Sequence, residues 1–517
     1  MRNSIFILFL GILFSLTSCR KDFDTVQSTG TLQFSKETVY LDTVFTNIGS
    51  STYTLKVYNR SKNDIVIPTI KLGRDDSKYR IMVDGMTGNG GSGKVFSNVE
   101  LLAKDSLFIF IETTAGIADA NPDDFLYTDE IQFYGGGSSQ KVDLVTLVQD
   151  AVFLYPERFE DGSTETVNLG VDVNGDPVTI YGFDLNENDP IHGNELTFTN
   201  KKPYVIYGFA TVPDDKTLTI QAGARVHFHS ESGILVQQNG TLHIEGLPSP
   251  AENPLQNEVV FEGDRLEPLY ENVPGQWAAI RLRGTQKNNT IEHLTLKNAV
   301  VGLYLEAANL DIKDSQFYDC SNFGILARAS NITGTNLVLN NSGQANFAGN
   351  FGGNYTFKHC TFNNNWASSS QVAVTLNNYL ENADGTVTPN PLETANFYNC
   401  IIYGSNRVEL LLDKVDGTAM NFDFNHCLIK FNESGTALAT DPSLIALYAP
   451  IKSVASGNFF DQDPKFQNIS RNKLNINDQS PAVGKANPAA TYFVQKDILG
   501  IDRLLEIGAY AARPFPE

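Results

Sequence analysis

Asp311 and Asp314, separated by Lys313 and followed by Arg328, are the charged residues best spaced for work on sugars. Hydrolysis of a glycosidic bond needs two carboxyl groups, about 5–5.5 Å apart for retention or about 6.5–9.5 Å for inversion. Elimination needs carboxylates that hold calcium and an Arg or Lys base. Asp311, Asp314 and Arg328 are therefore the catalytic candidates, although the equivalent steps further on carry Thr333 with Asn336 and Thr356 with His359, so no acidic neighbour reinforces them. Trp366 and Tyr379 are the ligand-binding candidates. They precede or open a polar stretch rich in Asn, and a ring beside amide side chains suits stacking on a sugar.

Metal chemistry has less support. His293, His359 and His426 share one repeat position with Asp314, Asn336 and Asn399. At about 4.8 Å per coil the first two histidines lie about 14 Å apart, whereas zinc needs each donor within about 2.0–2.2 Å. They read as a stacked polar turn, and His227 with His229 as a surface pair. Asp184, Asn186, Asn188 and Glu195 follow a calcium-loop spacing, but Asp189 stands where that loop needs glycine. The reading is an acidic loop. No cofactor or metal ligand is assigned, and calcium is the one ion considered.

The elements that position these residues come from a repeat. Ile291, Leu294 and Leu296 begin a three-step apolar line that recurs at Ile312/Ser315/Phe317, Gly334/Leu337/Leu339, Phe357/Cys360/Phe362, Phe397/Cys400/Ile402 and Phe424/Cys427/Ile429. Successive middle positions are 21, 22, 23, 40 and 27 residues apart. So short a unit cannot bury its own apolar face, so the copies must stack into one continuous core. Asn298, Asp319, Asn341 and Asn364 form a second column, suited to tight turns. Cys320, Cys360, Cys400 and Cys427 read as buried thiols rather than disulfides. The 40-residue interval holds about one coil of extra chain.

Ahead of the repeat, residues 31–150 alternate with period two, as in Tyr53/Leu55/Val57 and Leu107/Ile109/Ile111, with Gly-rich breaks between. A β-sandwich follows from that pattern. The first nineteen residues are a leader. Arg2 precedes twelve apolar residues from Ile5 to Leu16, too few to span a bilayer, which needs about 17–25. The formal net charge of −21 excludes a nucleic-acid partner, whose phosphates demand a basic surface.

Several motifs carry resemblances. Leu16-Thr17-Ser18-Cys19 resembles the lipobox of bacterial lipoproteins, which implies lipidation at Cys19. Cys19-Arg20-Lys21-Asp22-Phe23-Asp24 is similar to the tag that sends such lipoproteins to the cell surface of glycan-foraging Gram-negative bacteria. The implied location is the outer membrane, lipid-anchored and surface-exposed. Leu41 to Gly49 with Val57-Tyr58-Asn59 resembles the opening of immunoglobulin-like modules. Leu218 to Phe228, Gly233 to Val236, Gly240 to Gly246 and Gly275 to Ile280 resemble coils of right-handed parallel β-helix proteins of the pectate-lyase-like superfamily. The expected all-β order is leader 1–19, tether 20–30, immunoglobulin-like β-sandwich 31–150, connection 151–202, β-helix 203–475 and closing segment 476–517. The expected function is non-catalytic binding of a polysaccharide or surface protein along the β-helix flank. A polysaccharide lyase or glycoside hydrolase is the alternative, and a structural adhesin stalk a third.

Overall fold

The computed structural model describes residues 24–515, apart from 123, 173, 285, 286 and 383. The leader and Cys19 lie outside the described residues. With 49% strand and 6% helix the fold is all-β, with large parallel sheets. One compact unit ends at Asp150 and a second begins at Ala151.

The first unit has two sheets around one core. Thr38–Phe45, Ile65–Leu72, Leu126–Gly135 and Ser138–Gln149 supply one face; Tyr53–Tyr58, Tyr79–Val83 and Ser106–Thr113 supply the other. Alternation does the sorting. Leu55, Val57, Ile109, Ile111, Ile131, Phe133, Val142 and Leu144 all point into the shared core. Each such side chain contributes about 1.5–3 kcal/mol by leaving water.

In the second unit the chain visits three parallel ladders in a fixed order. Leu294–Lys297 lies in the third ladder, Ala299–Glu306 in the first and Asn309–Lys313 in the second, after which Gln316–Cys320 pairs beside Leu294–Lys297. The next turn of chain repeats the path one layer on, through Phe323–Thr335, which serves both the first and second ladders. The repeated apolar positions fill the interior. Phe397 and Phe424 stack with ring centres 4.7 Å apart, and Phe357 sits 5.1 Å from Phe397. Both non-apolar slots have physical causes. The Ser315 hydroxyl accepts from the Leu294 amide at 3.1 Å and donates to the Lys313 carbonyl. At Gly334 a Cβ would stand 2.5 Å from the Phe357 ring, so only glycine fits. The four cysteines are buried free thiols.

The turns explain the polar columns. His293, Asp314, Asn336, His359, Asn399 and His426 all adopt left-handed backbone, with φ between 48° and 56°. Asn, Asp and His are the non-glycine residues that tolerate this region best. The second column is left-handed at Asn298, Asp319 and Asn341, while Asn364 instead accepts from the Ser342 amide.

One expectation changes. Closure of the stack at its C-terminal end falls to a helix, Pro442–Lys452, which sends Tyr448 and Ile451 into the main core. Asp441 caps it by accepting from the Ser443 amide, and Pro442 opens it at a position where no amide hydrogen is needed. The tail beyond it folds back along the outward face of the third ladder, where Leu474, Ile498, Ala509 and Tyr510 cover Tyr318 and Val338. The extra chain of the long interval is an excursion between neighbouring coils. Thr361–Asn364 pairs directly with Ile401–Gly404, and the surplus chain forms an antiparallel hairpin, Tyr379–Glu381 with Val387–Pro389. Among the described residues no helix is long and apolar enough to cross a membrane.

Candidate functional site

The catalytic candidates do not assemble. Asp311 is exposed on the second ladder and accepts from the Asn288 amide group at 2.7 Å. Asp314 belongs to the left-handed turn column, where Asn336 donates to it at 2.7 Å and the His293 ring stands 3.8 Å away. Burial lifts the Asp314 carboxyl above its ordinary range, against the pull of Asn336 and His293. Arg328 lies on the first ladder, bonded to Tyr304 rather than to either aspartate. Trp366 and Tyr379 are also separate. They flank opposite ends of the strand Val372–Asn377, which spans about 20 Å at about 3.3 Å per residue. The Trp366 ring lies against Gly343, and the Tyr379 hydroxyl donates to Asp413 at 2.5 Å. That bond and partial burial push the Tyr379 phenol up to about 12.

The histidine pair is not a plain surface pair. His227 is buried with Glu262 3.6 Å away, and His229 contacts Asp264 at 2.7 Å, each acid coming from the adjacent coil. The calcium-like spacing does not converge either. Asn186 spends its side-chain oxygen on the Asn188 amide, and Glu195 accepts from the Asn186 amide.

What the fold does bring together is a set of arginines on the outward face of the first ladder. Arg281 and Arg283 alternate with the inward Ile280 and Leu282, and stacking sets Arg281 beside Tyr304, Arg283 beside Glu306, and Glu306 beside Arg328. Arg281 donates to Glu306 at 2.7 Å. Arg283 lies 3.8 Å from the same carboxylate and spends its other nitrogens on Gln237 and the Leu169 carbonyl. Among the described residues Arg328 makes one side-chain bond, from its terminal nitrogen to the Tyr304 hydroxyl at 3.1 Å, and its buried Nε has no acceptor. The guanidinium carbons of Arg281 and Arg328 lie 5.4 and 5.6 Å from the Tyr304 ring centre. Burial would raise the Glu306 carboxyl, but Arg281, Tyr304 and Arg283 outweigh it and hold the group ionised.

Arg281 and Arg283 thus share the Glu306 carboxylate, with Arg328 its register neighbour on the next coil, in a chain of net charge −21. Their planar donor forks match carboxylate, sulfate or phosphate oxygens. Phe323, Val301 and Leu326 add an apolar strip beside them. Two hairpins bound the face. Thr166–Val171 with Pro177–Asp184 packs through Val167 against Phe209 and Leu235, and the second, bearing Tyr379, lies by Ala345–Lys358. Alternation alone marks Arg281, Arg283, Tyr304 and Glu306 as outward-facing, but their meeting depends on the coil register.

No family model matches the chain, and no curated protein does. Three solved structures show partial likeness. A family 123 glycoside hydrolase from Clostridium perfringens, described for glycolipid glycan hydrolysis, is 10% identical over 23% of this chain and 26% of its own, with TM-score 0.16. BcpA, the major pilin subunit of Bacillus cereus, is 12% identical over 29% of this chain and 52% of its own, with TM-score 0.15. The catalytic unit of a thermostable GH87 alpha-1,3-glucanase from Streptomyces thermodiastaticus is 11% identical over 74% of this chain and 64% of its own, with TM-score 0.19. This chain spans less than two thirds of each.

Proposed function

We propose that this protein is a lipid-anchored lipoprotein of the cell surface that holds an acidic glycan, without cleaving it, on the outward face of the first ladder. In this reading Cys19 carries the lipid, the first unit is an immunoglobulin-like spacer, and the three ladders form a right-handed parallel β-helix of the pectate-lyase-like kind. The observation that carries it is the arginine set, in which Arg281 and Arg283 face the Glu306 carboxylate and Arg328 bonds the Tyr304 hydroxyl beside it. An anionic sugar supplies the acceptors that Arg328 lacks and stacks on neighbouring apolar surface. The tail occupies much of the third ladder's outward face, which favours the first ladder as the flank for a chain-like ligand.

The test is retention of the purified protein on acidic and neutral polysaccharides, with the release of reducing or unsaturated ends measured in parallel. Retention on acidic glycans alone, weakened about tenfold by Arg328→Ala and without product, supports the proposal. Product release would replace it with a lyase or hydrolase, and absence of retention on every glycan would leave the stalk. The anchor is tested separately: Cys19→Ala should free the protein from membranes, and unchanged membrane retention would sink that part.

A further inference from the structure

The segment joining Pro177–Asp184 to Thr197–Phe198 contains a short loop whose side chains converge. The Asp189 amide donates to the Gly193 carbonyl at 2.7 Å and the Gly193 amide returns the bond at 2.9 Å, closing a tight turn. Pro190 fixes one backbone angle inside it, and Gly193 takes a left-handed φ of 74° at the exit. This geometry brings the His192 Nδ1 to 3.3 Å from Asp189 Oδ1 and 3.0 Å from Glu195 Oε1. The donor atoms of all three residues lie within 4.8 Å of one another.

A hydrogen-bonded imidazole accounts for only part of this arrangement. One ring N–H serves one acceptor well, and here two carboxylates meet the same nitrogen. Glu195 is also buried, at 8% exposed. Among the described residues no Lys or Arg forms an ion pair with Asp189 or Glu195; the nearby Lys216 pairs with Glu187 instead. Two carboxylates with only an imidazole for company are under-compensated, and a buried carboxylate without a cation is costly. Both acids are held in place. Asp189 Oδ1 itself accepts from the amides of His192 and Ile191, which keep the carboxyl below the ordinary range, and Glu195 is braced from behind, using its second oxygen on the Asn186 amide at 3.0 Å.

We propose that Asp189, His192 and Glu195 bind one divalent transition-metal ion of the zinc type, leaving a coordination position open to solvent. Donors at about 2.0–2.2 Å around a tetrahedral ion stand about 3.3 Å from one another. The two distances from His192 already match that spacing, and a carboxylate rotation closes the third. The nitrogen donor selects against calcium and magnesium, which take oxygen ligands. Bound there, the ion ties the loop together beside the first coils, because Gly182–Asp184 pairs with Phe209–Thr211 just before it. The site does not depend on the glycan-binding reading.

The experiment is titration of the chelator-stripped full chain with Zn2+ by calorimetry and with Co2+ by visible absorption. One saturable equivalent is expected, with cobalt ligand-field bands and a rise in the thermal midpoint on loading. His192→Ala and Glu195→Gln should each weaken binding at least tenfold. Asp189→Asn keeps the acceptor that the loop amides need and removes only charge, so it should weaken binding without unfolding the chelated protein. His229→Ala, at the separate His229–Asp264 pair, should leave the equivalent intact. No saturable equivalent, or one that survives the substitutions at 189, 192 and 195, would overturn the proposal.

Discussion

The first and third ladders are built from the same coils, yet their outward faces meet opposite fates. On the third-ladder side the chain's own tail answers the polar groups. Arg503, 2% exposed, donates to Asn336 at 2.9 Å and to the carbonyls of Gly508 and Ala509 at 3.1 and 2.8 Å, and it also reaches Val494 and Lys496. On the first ladder Arg328 has, among the described residues, only the Tyr304 hydroxyl. The Nε of each arginine lacks an acceptor among the described residues, so the contrast lies in the terminal nitrogens. An arginine saturated by its own chain is a fastener. One left underbonded on an acidic protein's surface is a place for an external anion.

The largest way to break this contrast is to unfasten the covered side. Arg503→Ala should strand several buried carbonyls beside Asp497 and Glu506 and cost about 3 kcal/mol or more in urea unfolding. Amide exchange should then rise first in the tail.

A second effect belongs to the seam between the two faces. Glu409 is fully buried, its Oε2 has no partner among the described residues, and burial pushes it up to about 8 against the pull of the Asn406 amide and Gln371. The folded state keeps a proton that the unfolded chain releases near its ordinary value of 4.5. Stability should therefore fall as pH rises from about 4.5 to about 8 and level off above that, by about 2–3 kcal/mol after local relaxation. Glu409→Gln should flatten that slope in unfolding curves taken at several pH values.

The open face should respond in binding rather than stability. Arg328→Ala should change unfolding by less than about 0.5 kcal/mol while lowering retention on an acidic glycan about tenfold, or about 1.4 kcal/mol. Arg328→Lys should recover only part of it, since a lysine presents no planar fork. Equal loss of stability and retention would erase the distinction between the faces. The smallest effect is expected on the second ladder, where Asn331 donates to Asn309 at 2.7 Å and accepts from Asn354 at 2.8 Å. Asn331→Ala should cost about 0.5–1 kcal/mol there and leave glycan retention unchanged.

Much of the architecture is legible in residue order. Fixed steps such as Phe357/Cys360/Phe362 announce the stack, and the left-handed column from His293 to His426 shows in its Asn, Asp and His content. The candidate site is far less legible. Asp311 and Asp314 are near in sequence but belong to a strand and a turn with separate partners, while Trp366 and Tyr379 flank opposite ends of one strand. His192 escapes a search for calcium spacing because the loop turns back at Gly193 and delivers a nitrogen donor.

By itself the amino-acid order determined which side chains face inward, where the chain turns and that the units must stack, since these follow from local alternation, left-handed turn chemistry and the need to bury apolar faces. Only the tertiary structure decided which outward residues become neighbours. Arg281, Glu306 and Arg328 come from three successive coils, and the tail reaches Asn336 from Arg503. Alternation assigns a residue to a face, but register between coils of unequal length assigns its partners, and that register is a property of the packed stack as a whole.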